Sequence, residues 1–337
     1  MKNKIVELIA ANVEGLTAAE IADLIEIPPK PELGDFAFPC FRLAKTMRKA
    51  PQMIANDIKE AIGDVDFLQE IQVQGAYLNF FVKKELFIET MVTASMADDF
   101  GSSTEGNGQT ICIDYSSPNV AKNFHVGHLR TTIIGNSLYK IYSKLGYKVV
   151  RINHLGDWGT QFGKLIVAYK AWGSEEAVKK DGVAELMKLY VKFHEEAEKN
   201  PELNDEARAW FAKMEHGDEE ALKIWQWFKD ISLIEYKRTY DLLGMDFDYY
   251  LGESFYRDKT DDVVKRLTDA NLLTESEGAK IVNLDAYDMA PCLILKNDGS
   301  SIYATRDIAA IFYRKETYNF VKCLYVTGQE QKLHFKQ

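Results

Sequence analysis

The sequence has no run of eighteen apolar residues, so no transmembrane helix is expected. Its first segment, MKNKIVELIAANV, contains Glu7 and lacks a small-residue cleavage site, which favours an ordinary helix over a signal peptide. Cysteine is also scarce, and no C-x-x-C pair occurs among the four: Cys40, Cys112, Cys292 and Cys323. Disulfide and zinc sites are therefore disfavoured, and we expect no protein-bound metal, no membrane association and a location in the reducing cytoplasm.

Positive charge is in deficit, which argues against a general nucleic-acid-binding surface. The 337 residues include 41 Lys and Arg against 51 Asp and Glu, a net charge of −10. Residues 1–108 carry 10 basic and 17 acidic side chains, whereas residues 109–164 carry 7 basic and only 2 acidic ones. A local excess of basic residues is expected where phosphate groups bind.

This basic region contains the stretch ICIDYSSPNVAKNFHVGHLRTTIIG at positions 111–135. Ile111–Tyr115 is typical of a strand, and the next four residues are turn and cap types. Helical spacing of apolar residues begins near His128 and continues to Leu145, and Lys148–Asn153 is again typical of a strand. The order strand, loop, helix, strand predicts a βαβ unit.

The loop of this unit has the residue types of an anion site. Lys122, His125, Gly127 and His128 lie at the predicted start of the helix, where free backbone amides and the helix dipole attract negative charge. Gly127 allows a ring or a phosphate to approach the backbone, and residues three apart, such as the two histidines, can face one way. The stretch matches neither G-x-x-x-x-G-K-[ST] nor G-x-G-x-x-G.

HVGH at positions 125–128 resembles the signature tetrapeptide of class I aminoacyl-tRNA synthetases, and SSPNVAKNFHVGHLRTTIIG resembles the arginyl family in particular. Three further strings agree in the same chain order: NHLGDWGTQFG, YATRD and QEQKLHFKQ, at positions 153–163, 303–307 and 329–337. The resemblance covers the chain from about Gln109 to its end and, more loosely, the segment before it.

The resemblance implies an α/β fold class. A Rossmann-type parallel-sheet catalytic domain is expected over 109–337, with a helical insertion at about 165–245, preceded by a small α+β domain over 1–108. GSSTEGNG at 101–108 is interpreted as the linker between them. Near the end, Cys292–Lys296 and Ser301–Ala304 are expected to form a hairpin, Asp307 to open a helix, and Val321–Thr327 to form a parallel strand.

The family joins arginine to ATP as an adenylate and then transfers the arginyl group to tRNA(Arg). The resemblance therefore implies ATP as a substrate, Mg²⁺ on its phosphates, and L-arginine and tRNA as partners. His125 and His128 would donate to phosphate oxygens, and Lys122 would pair with the leaving phosphates. The implied ATP-binding residues are Pro118, Asn119, His125, Gly127 and His128.

A guanidinium is a planar fork of donors that is always charged, so its pocket needs carboxylates and directed acceptors. The residues implied to bind arginine are Asp114, Ser117, Asn119, His154, Tyr303, Asp307 and Gln331. Asp307 is the first choice for the guanidinium, and Asn119 and Gln331 for the amino-acid end. Asp114 stands where some relatives have glutamate, which shortens its reach. Alternative interpretations are a helix cap for Asp307, an Asx turn for Asn119 and a buried structural histidine for His154, the last slightly favoured.

In the family, the N-terminal domain contacts the elbow of the tRNA. A helix predicted over Phe41–Lys49 would place Arg42, Lys45 and Lys49 on one face, either as phosphate contacts or as a solvated surface.

No string resembles the second class I signature, the KMSKS loop, and no anticodon-binding domain follows. We therefore expect an N-terminal part of a longer, monomeric enzyme that binds ATP and arginine weakly and charges tRNA poorly. Two alternative functions are compatible with the same sequence: a tRNA-independent adenylating ligase or nucleotidyltransferase, and a non-catalytic, synthetase-like RNA-binding paralogue.

Overall fold

The computed structural model describes residues 1–337, which divide into two compact units, Met1–Phe100 and Gly101–Gln337. The first unit contains five helices: α1 Lys2–Ala10, α2 Ala18–Leu24, α3 Leu43–Met47, α4 Pro51–Ile62 and α5 Lys84–Ser95. It also contains three strands: β1 Phe36–Pro39, β2 Leu68–Gln74 and β3 Tyr77–Val82. The strands form an antiparallel sheet in the order β1-β3-β2, over a core that includes Ile5, Ile54 and Phe80.

The helix predicted over Phe41–Lys49 is present but shorter than predicted. A 3-10 turn, Cys40–Arg42, leads into the five residues of α3, and Arg48 then adopts a left-handed backbone with φ 51°. A left-handed residue ends an α-helix, so Lys49 lies beyond the helix and pairs with Asp57 instead. Arg42 and Lys45 remain exposed, but the three basic side chains do not share one helix face.

The second unit contains seven strands: β4 Thr110–Asp114, β5 Lys148–Asn153, β6 Tyr249–Tyr250, β7 Leu273–Ser276, β8 Ala279–Val282, β9 Cys292–Leu295 and β10 Lys322–Tyr325. Four of them form a parallel sheet in the order β10-β4-β5-β6, which confirms the predicted parallel strands. The chain proceeds from β4 outward to β6 and later returns to the other side of β4. Strand order therefore reverses between β4 and β10, and ligands of such sheets bind at that crevice.

Helix α6, Val126–Lys144, joins β4 to β5 and confirms the predicted βαβ unit. Its middle lies against the end of β4, since a Cβ on Gly135 would stand 2.2 Å from Cγ of the buried Tyr115. The segment expected to be a linker belongs to this same packing. Backbone amides of Ser103, Gly106 and Gly108 donate to carbonyls at the C-terminal end of α6, so the segment is held against this unit.

The helical insertion predicted at about 165–245 consists of five helices between β5 and β6: α7 Thr160–Trp172, α8 Glu175–Asp181, α9 Val183–Lys199, α10 Glu202–Glu215 and α11 Glu219–Leu242. Their apolar faces form one core with the end of β4, including Leu186, Phe193, Met214 and Phe228. None of the helices of the chain is long and apolar enough to span a bilayer.

The final helices are α12 Glu253–Tyr256, α13 Thr260–Asp269, α14 Tyr303–Tyr318 and α15 Lys332–Lys336. The predicted hairpin of Cys292–Lys296 and Ser301–Ala304 is wrong, because these two segments share one isolated bridge, Leu295 to Ser301, and α14 already begins at Tyr303. Strand β9 pairs with β8 instead. Apolar residues at 302–304 suit a strand or a first helical turn equally well, and burial of Ala304 and Thr305 on β9 selects the helix. Asp307 consequently lies in the second turn of α14 and does not open it.

Candidate active site

The loop after β4 is held in a sterically costly conformation. Ser116, Ser117 and Ala121 all have positive φ angles, 71°, 47° and 61°. Buried hydrogen bonds fix them: the Ser116 hydroxyl lies 2.7 Å from the Tyr240 hydroxyl, and the Ala121 amide donates to the Ser232 hydroxyl at 2.9 Å. Non-glycine residues in this region persist only where their surroundings enforce it, and such positions cluster at functional sites.

The two signature histidines stack at the start of α6. Their ring centroids are 3.9 Å apart with an interplanar angle of 25°. The Gly127 amide donates to Nδ1 of His125 at 3.1 Å, and the His125 amide donates to Nδ1 of His128 at 3.3 Å. Because each Nδ1 accepts, the neutral ring of each histidine carries its proton on Nε2, where it is free to donate to a ligand.

His128 is neutral at physiological pH. Burial, the neighbouring His125 and Lys122 lower the pKa of His128 to about 4. His125, Lys122 and Gly127 are exposed at the same helix start. The helix end therefore offers hydrogen-bond donors and a lysine ammonium, a combination suited to phosphate oxygens.

Pro118 and Asn119 lie between the strand and the histidines. Pro118 is buried, and its carbonyl accepts from the amide of Gly156. Asn119 has an exposed side chain, while its carbonyl accepts a 2.7 Å hydrogen bond from the Tyr236 hydroxyl. A Cβ at Gly156 would stand 2.0 Å from Oδ1 of Asn119, so a larger residue there would require the exposed amide of Asn119 to rotate away.

Asp114 is already fully engaged within the protein. Its Oδ2 accepts from Nη2 of Arg314 at 2.7 Å, and its Oδ1 accepts from the Ser117 hydroxyl at 2.8 Å. Arg314 is completely buried, and its Nε and Nη1 have no hydrogen-bond partner. In this structure Asp114 holds an internal guanidinium and Ser117 donates to Asp114, so their direct contact with a ligand stays a prediction.

Asp307 lies between two imidazoles. Nε2 of His334 is 2.6 Å from its Oδ2, and Nε2 of His154 is 3.4 Å from its Oδ1. Nδ1 of His154 is also 3.5 Å from Nη2 of Arg314, which links this cluster to Asp114. The ring of Tyr303 packs 5.0 Å from that of His334. The structure thus brings Asp114, Ser117, His154, Tyr303 and Asp307 together.

The imidazoles keep Asp307 ionised. Burial alone would raise the pKa of Asp307, but its contacts with His154 and His334 outweigh burial and hold that pKa well below its usual value. Burial alone would likewise lower the pKa of His154, but Asp307 and Asp114 reverse this and raise it. The arrangement therefore maintains a carboxylate that a cationic ligand can use.

Four participants were not found from the sequence: Glu253, Arg306, Arg314 and His334. Arg306 donates to Oε2 of Glu253 at 2.9 Å. A signal existed for Arg314, because residues seven apart on a helix share a face and Arg314 follows Asp307 by seven. No local pattern points to Glu253, which is positioned by the buried Asp157 through hydrogen bonds to the amide and hydroxyl of the next residue, Ser254.

A cavity of about 530 Å³ opens beside this cluster. Glu253, Tyr303, Arg306 and His334 line it, whereas Asp307, His125 and His128 do not. Gln331 is exposed in a 3-10 turn, Gln329–Gln331, and makes no side-chain contact with the cluster. A single cleft shared by the histidine pair and the Asp307 cluster stays a prediction.

Comparison with known proteins decides the family. A family model described as "tRNA synthetases class I (R), catalytic domain" matches residues 91–337, and one described as "Arginyl tRNA synthetase N terminal domain" matches residues 3–82. The chain belongs to the class I (R) tRNA synthetase family. The family predicted from the signature loop and from the three strings that follow it is therefore confirmed.

Curated members of the family are similar over the whole chain. "Arginine--tRNA ligase" of Alkaliphilus metalliredigens is 57% identical and that of Clostridium perfringens 56% identical, each over 100% of this chain and 60% of the relative. The chain thus spans about three-fifths of the length of these relatives. Arginyl-tRNA synthetase from Plasmodium falciparum has a similar fold at a TM-score of 0.66 and 24% identity, over 99% of this chain and 60% of that one.

Proposed function

We propose that this synthetase-family chain carries the ATP- and arginine-binding steps of an arginine–tRNA ligase, which activates L-arginine as an adenylate and transfers it to tRNA(Arg). The observation that carries the proposal is the Asp307 cluster at the carboxyl edge of the sheet that also bears the signature histidines. Relatives with the printed name arginine–tRNA ligase support it.

ATP would bind with its triphosphate at the start of α6. The Nε2–H groups of His125 and His128 would donate to phosphate oxygens as negative charge redistributes during attack of the arginine carboxylate on the α-phosphate. Pyrophosphate then leaves, and Lys122 would neutralise it as a point charge. Pro118, Asn119 and Gly127 would let the nucleotide approach the backbone.

Magnesium would be carried by the nucleotide. The structure has no group of three or more His, Cys, Asp or Glu side chains arranged to hold a metal ion. Mg²⁺ commonly binds through substrate phosphates and retained waters, so the residues present fit a metal that arrives with ATP and neutralises its phosphate charge.

Arginine would bind with its guanidinium at Asp307 and with its amino-acid end toward Asn119 and Gln331. His154 contacts this carboxylate and Tyr303 packs on its other partner, His334. Asp114, which accepts from Ser117, is linked to His154 through Arg314. A guanidinium matches the two oxygens of a carboxylate, whereas a lysine ammonium contacts it as a point.

The tRNA would be shared with the first unit, where Arg42, Lys45 and Lys49 are the proposed phosphate contacts. We further propose a cytoplasmic monomer. Because the chain spans 60% of its relatives, we expect binding of ATP and arginine to be measurable on these 337 residues and charging of tRNA to be weak.

The test is calorimetric titration of the chain with L-arginine, L-lysine and L-citrulline. We expect arginine to bind, lysine to bind more weakly, and citrulline, which lacks the charge, not to bind detectably. The Asp307→Asn variant should lose at least about tenfold in arginine affinity, because a charge-assisted hydrogen bond contributes roughly 1.5–3 kcal/mol.

Asp269→Asn is the matched control, since Asp269 is exposed at the end of α13 and pairs only with Lys265. Equal affinity for arginine and citrulline would contradict the proposal, as would efficient aminoacylation activity without any dependence on Asp307.

A further inference from the structure

Three carboxylates lie in the region of the proposed arginine site, and each has an internal partner. Asp114 is paired with Arg314 at 2.7 Å and Glu253 with Arg306 at 2.8 Å. Asp307 is the one whose partners are imidazoles, His154 and His334. A guanidinium stays charged at all ordinary pH values, whereas an imidazole changes charge near neutrality. Of the three carboxylates, Asp307 is therefore the one whose present partners a cationic ligand can replace.

His334 lines the cavity and contacts the carboxylate of Asp307, whose side chain is 30% exposed against 14% for that of His334. It lines the cavity together with Tyr303, while Asp307 is not among the lining residues. Its Nε2 lies 2.6 Å from Oδ2 of Asp307. His154, in contrast, does not line the cavity and contacts Arg314 on its other ring nitrogen. A cation that binds to Oδ2 of Asp307 from the cavity consequently competes with His334 for that oxygen.

We propose that His334 is a positioning residue that holds Asp307 in the empty site and leaves it when the guanidinium of an arginine-like ligand arrives, with release of the imidazole proton to solvent. This inference rests on the proposed arginine site. One N–H···O contact of imidazolium breaks and guanidinium N–H···O contacts form. The positive charge of the ligand replaces that of the released proton, so the charge around Asp307 is unchanged.

The neighbouring ionisable groups leave few other sources for such a proton. Those facing the Asp307 and His334 pair from the packed elements are Asp114, His154, Glu253, Tyr303, Arg306 and Arg314. The two arginines do not titrate, and Asp307 and Asp114 are paired with cations. Burial raises the pKa of Glu253 despite its contact with Arg306, and Asp307 and Asp114 raise the pKa of His154, so Glu253 and His154 are the competing sources that an experiment must separate.

The experiment is calorimetric titration of the 337-residue chain with L-arginine at pH 6.5 in two buffers of different ionisation enthalpy. A released proton makes the measured enthalpy depend on the buffer. We expect this dependence in the wild type, and its loss in His334→Gln. We also expect the wild-type Kd to fall as pH rises from 6 to 8, by up to about tenfold per pH unit for each whole proton released. His334→Gln should bind more tightly than wild type at pH 6 and show a flatter profile.

His194→Gln is the matched control, since His194 is exposed on α9 and lies outside the cavity. It should behave as the wild type. A buffer dependence that persists in His334→Gln would assign the proton to Glu253 or His154 and overturn the inference. Buffer-independent binding by the wild type would overturn it too. Failure of the wild type to bind arginine at all would instead refute the proposed site.

A second measurement does not depend on the variant folding. If arginine displaces His334 from Asp307, the ring resonances of His334 in NMR spectra of the wild type must shift when arginine is added. Saturating arginine that leaves those resonances unchanged would also overturn the inference.

Discussion

A buried guanidinium is the most constrained residue of the catalytic unit. Arg314 has no exposed surface, and its partner Asp114 has a 7% exposed side chain. Removing one member of a buried ion pair leaves an uncompensated charge, which typically costs 3–5 kcal/mol. Arg314→Met should therefore destabilise this unit by about 3–5 kcal/mol. Urea unfolding followed by tryptophan fluorescence measures it, because all five tryptophans lie beyond residue 157.

Arg266→Met provides the comparison, since Arg266 forms an exposed pair with Glu316 and an exposed pair contributes little to stability. Equal loss of stability in the two variants would mean that the 114–314 pair is not a buried ion pair in solution.

The signature histidines allow a second prediction about single residues. The pKa of His128 is lowered to about 4 by burial and by the neighbours His125 and Lys122. NMR titration of the wild type should show the His128 ring protonating well below pH 6. His125→Gln should move that pKa upward only in part, because burial remains.

This shift has a consequence for stability. The pKa of His128 is lower in the folded state than in the unfolded state. Neutral His128 therefore contributes to the free energy of unfolding above pH 6.5, and this contribution is lost as the pH falls toward 4. His128→Asn should thus lose less stability across that interval than the wild type. A His128 ring that titrates at its ordinary pKa would contradict both expectations.

Helix α6 packs closely against the end of β4 at Gly135. A Cβ on Gly135 would stand 2.2 Å from Cγ of Tyr115, whose side chain is fully buried. Gly135→Ala should destabilise the unit, because overpacking costs about 1–3 kcal/mol while the gain in helix propensity is about 1 kcal/mol. Ser137→Ala, at an exposed position of the same helix, should be nearly neutral. Denaturant unfolding of both variants checks this, and a stabilised Gly135→Ala would show that α6 does not pack as closely as described.

At the level of elements, the helices and strands that depend on local sequence patterns were predicted from the sequence. The strand, loop, helix and strand around His125 and His128, the parallel β10 and the helical character of the insertion between β5 and β6 follow from periodicity and resemblance. The break at Arg48 was missed because a left-handed non-glycine residue has no sequence signature. Arg314 and His334, which contact Asp114 and Asp307, were missed for a different reason, since they are distant in sequence from Asp114 and His154 and only tertiary packing brings these side chains together.

On the scale of the whole molecule, the boundary between the two units lies earlier than the glycine-rich composition at 101–108 indicates. Amides of Ser103, Gly106 and Gly108 are bonded to the end of α6, so this segment belongs to the second unit. Phe100, which precedes it, is 49% exposed. Backbone that is held by hydrogen bonds resists proteases, whereas exposed chain near a boundary is cut readily.

Brief treatment with a nonspecific protease should therefore cleave next to Phe100 and leave the bonds of 103–108 intact, as mass spectrometry of the fragments would show. Gly106→Ala should move cleavage into this segment, because a Cβ there would lie 2.4 Å from the amide nitrogen of Tyr147 and force the chain away from α6. Gly101→Ala is the control, since nothing lies within 4 Å of a Cβ at that position, although its positive φ of 78° makes the local backbone less favourable. If the protease cleaves the wild type preferentially between Ser103 and Gly108, the prediction is contradicted and the segment is a free linker.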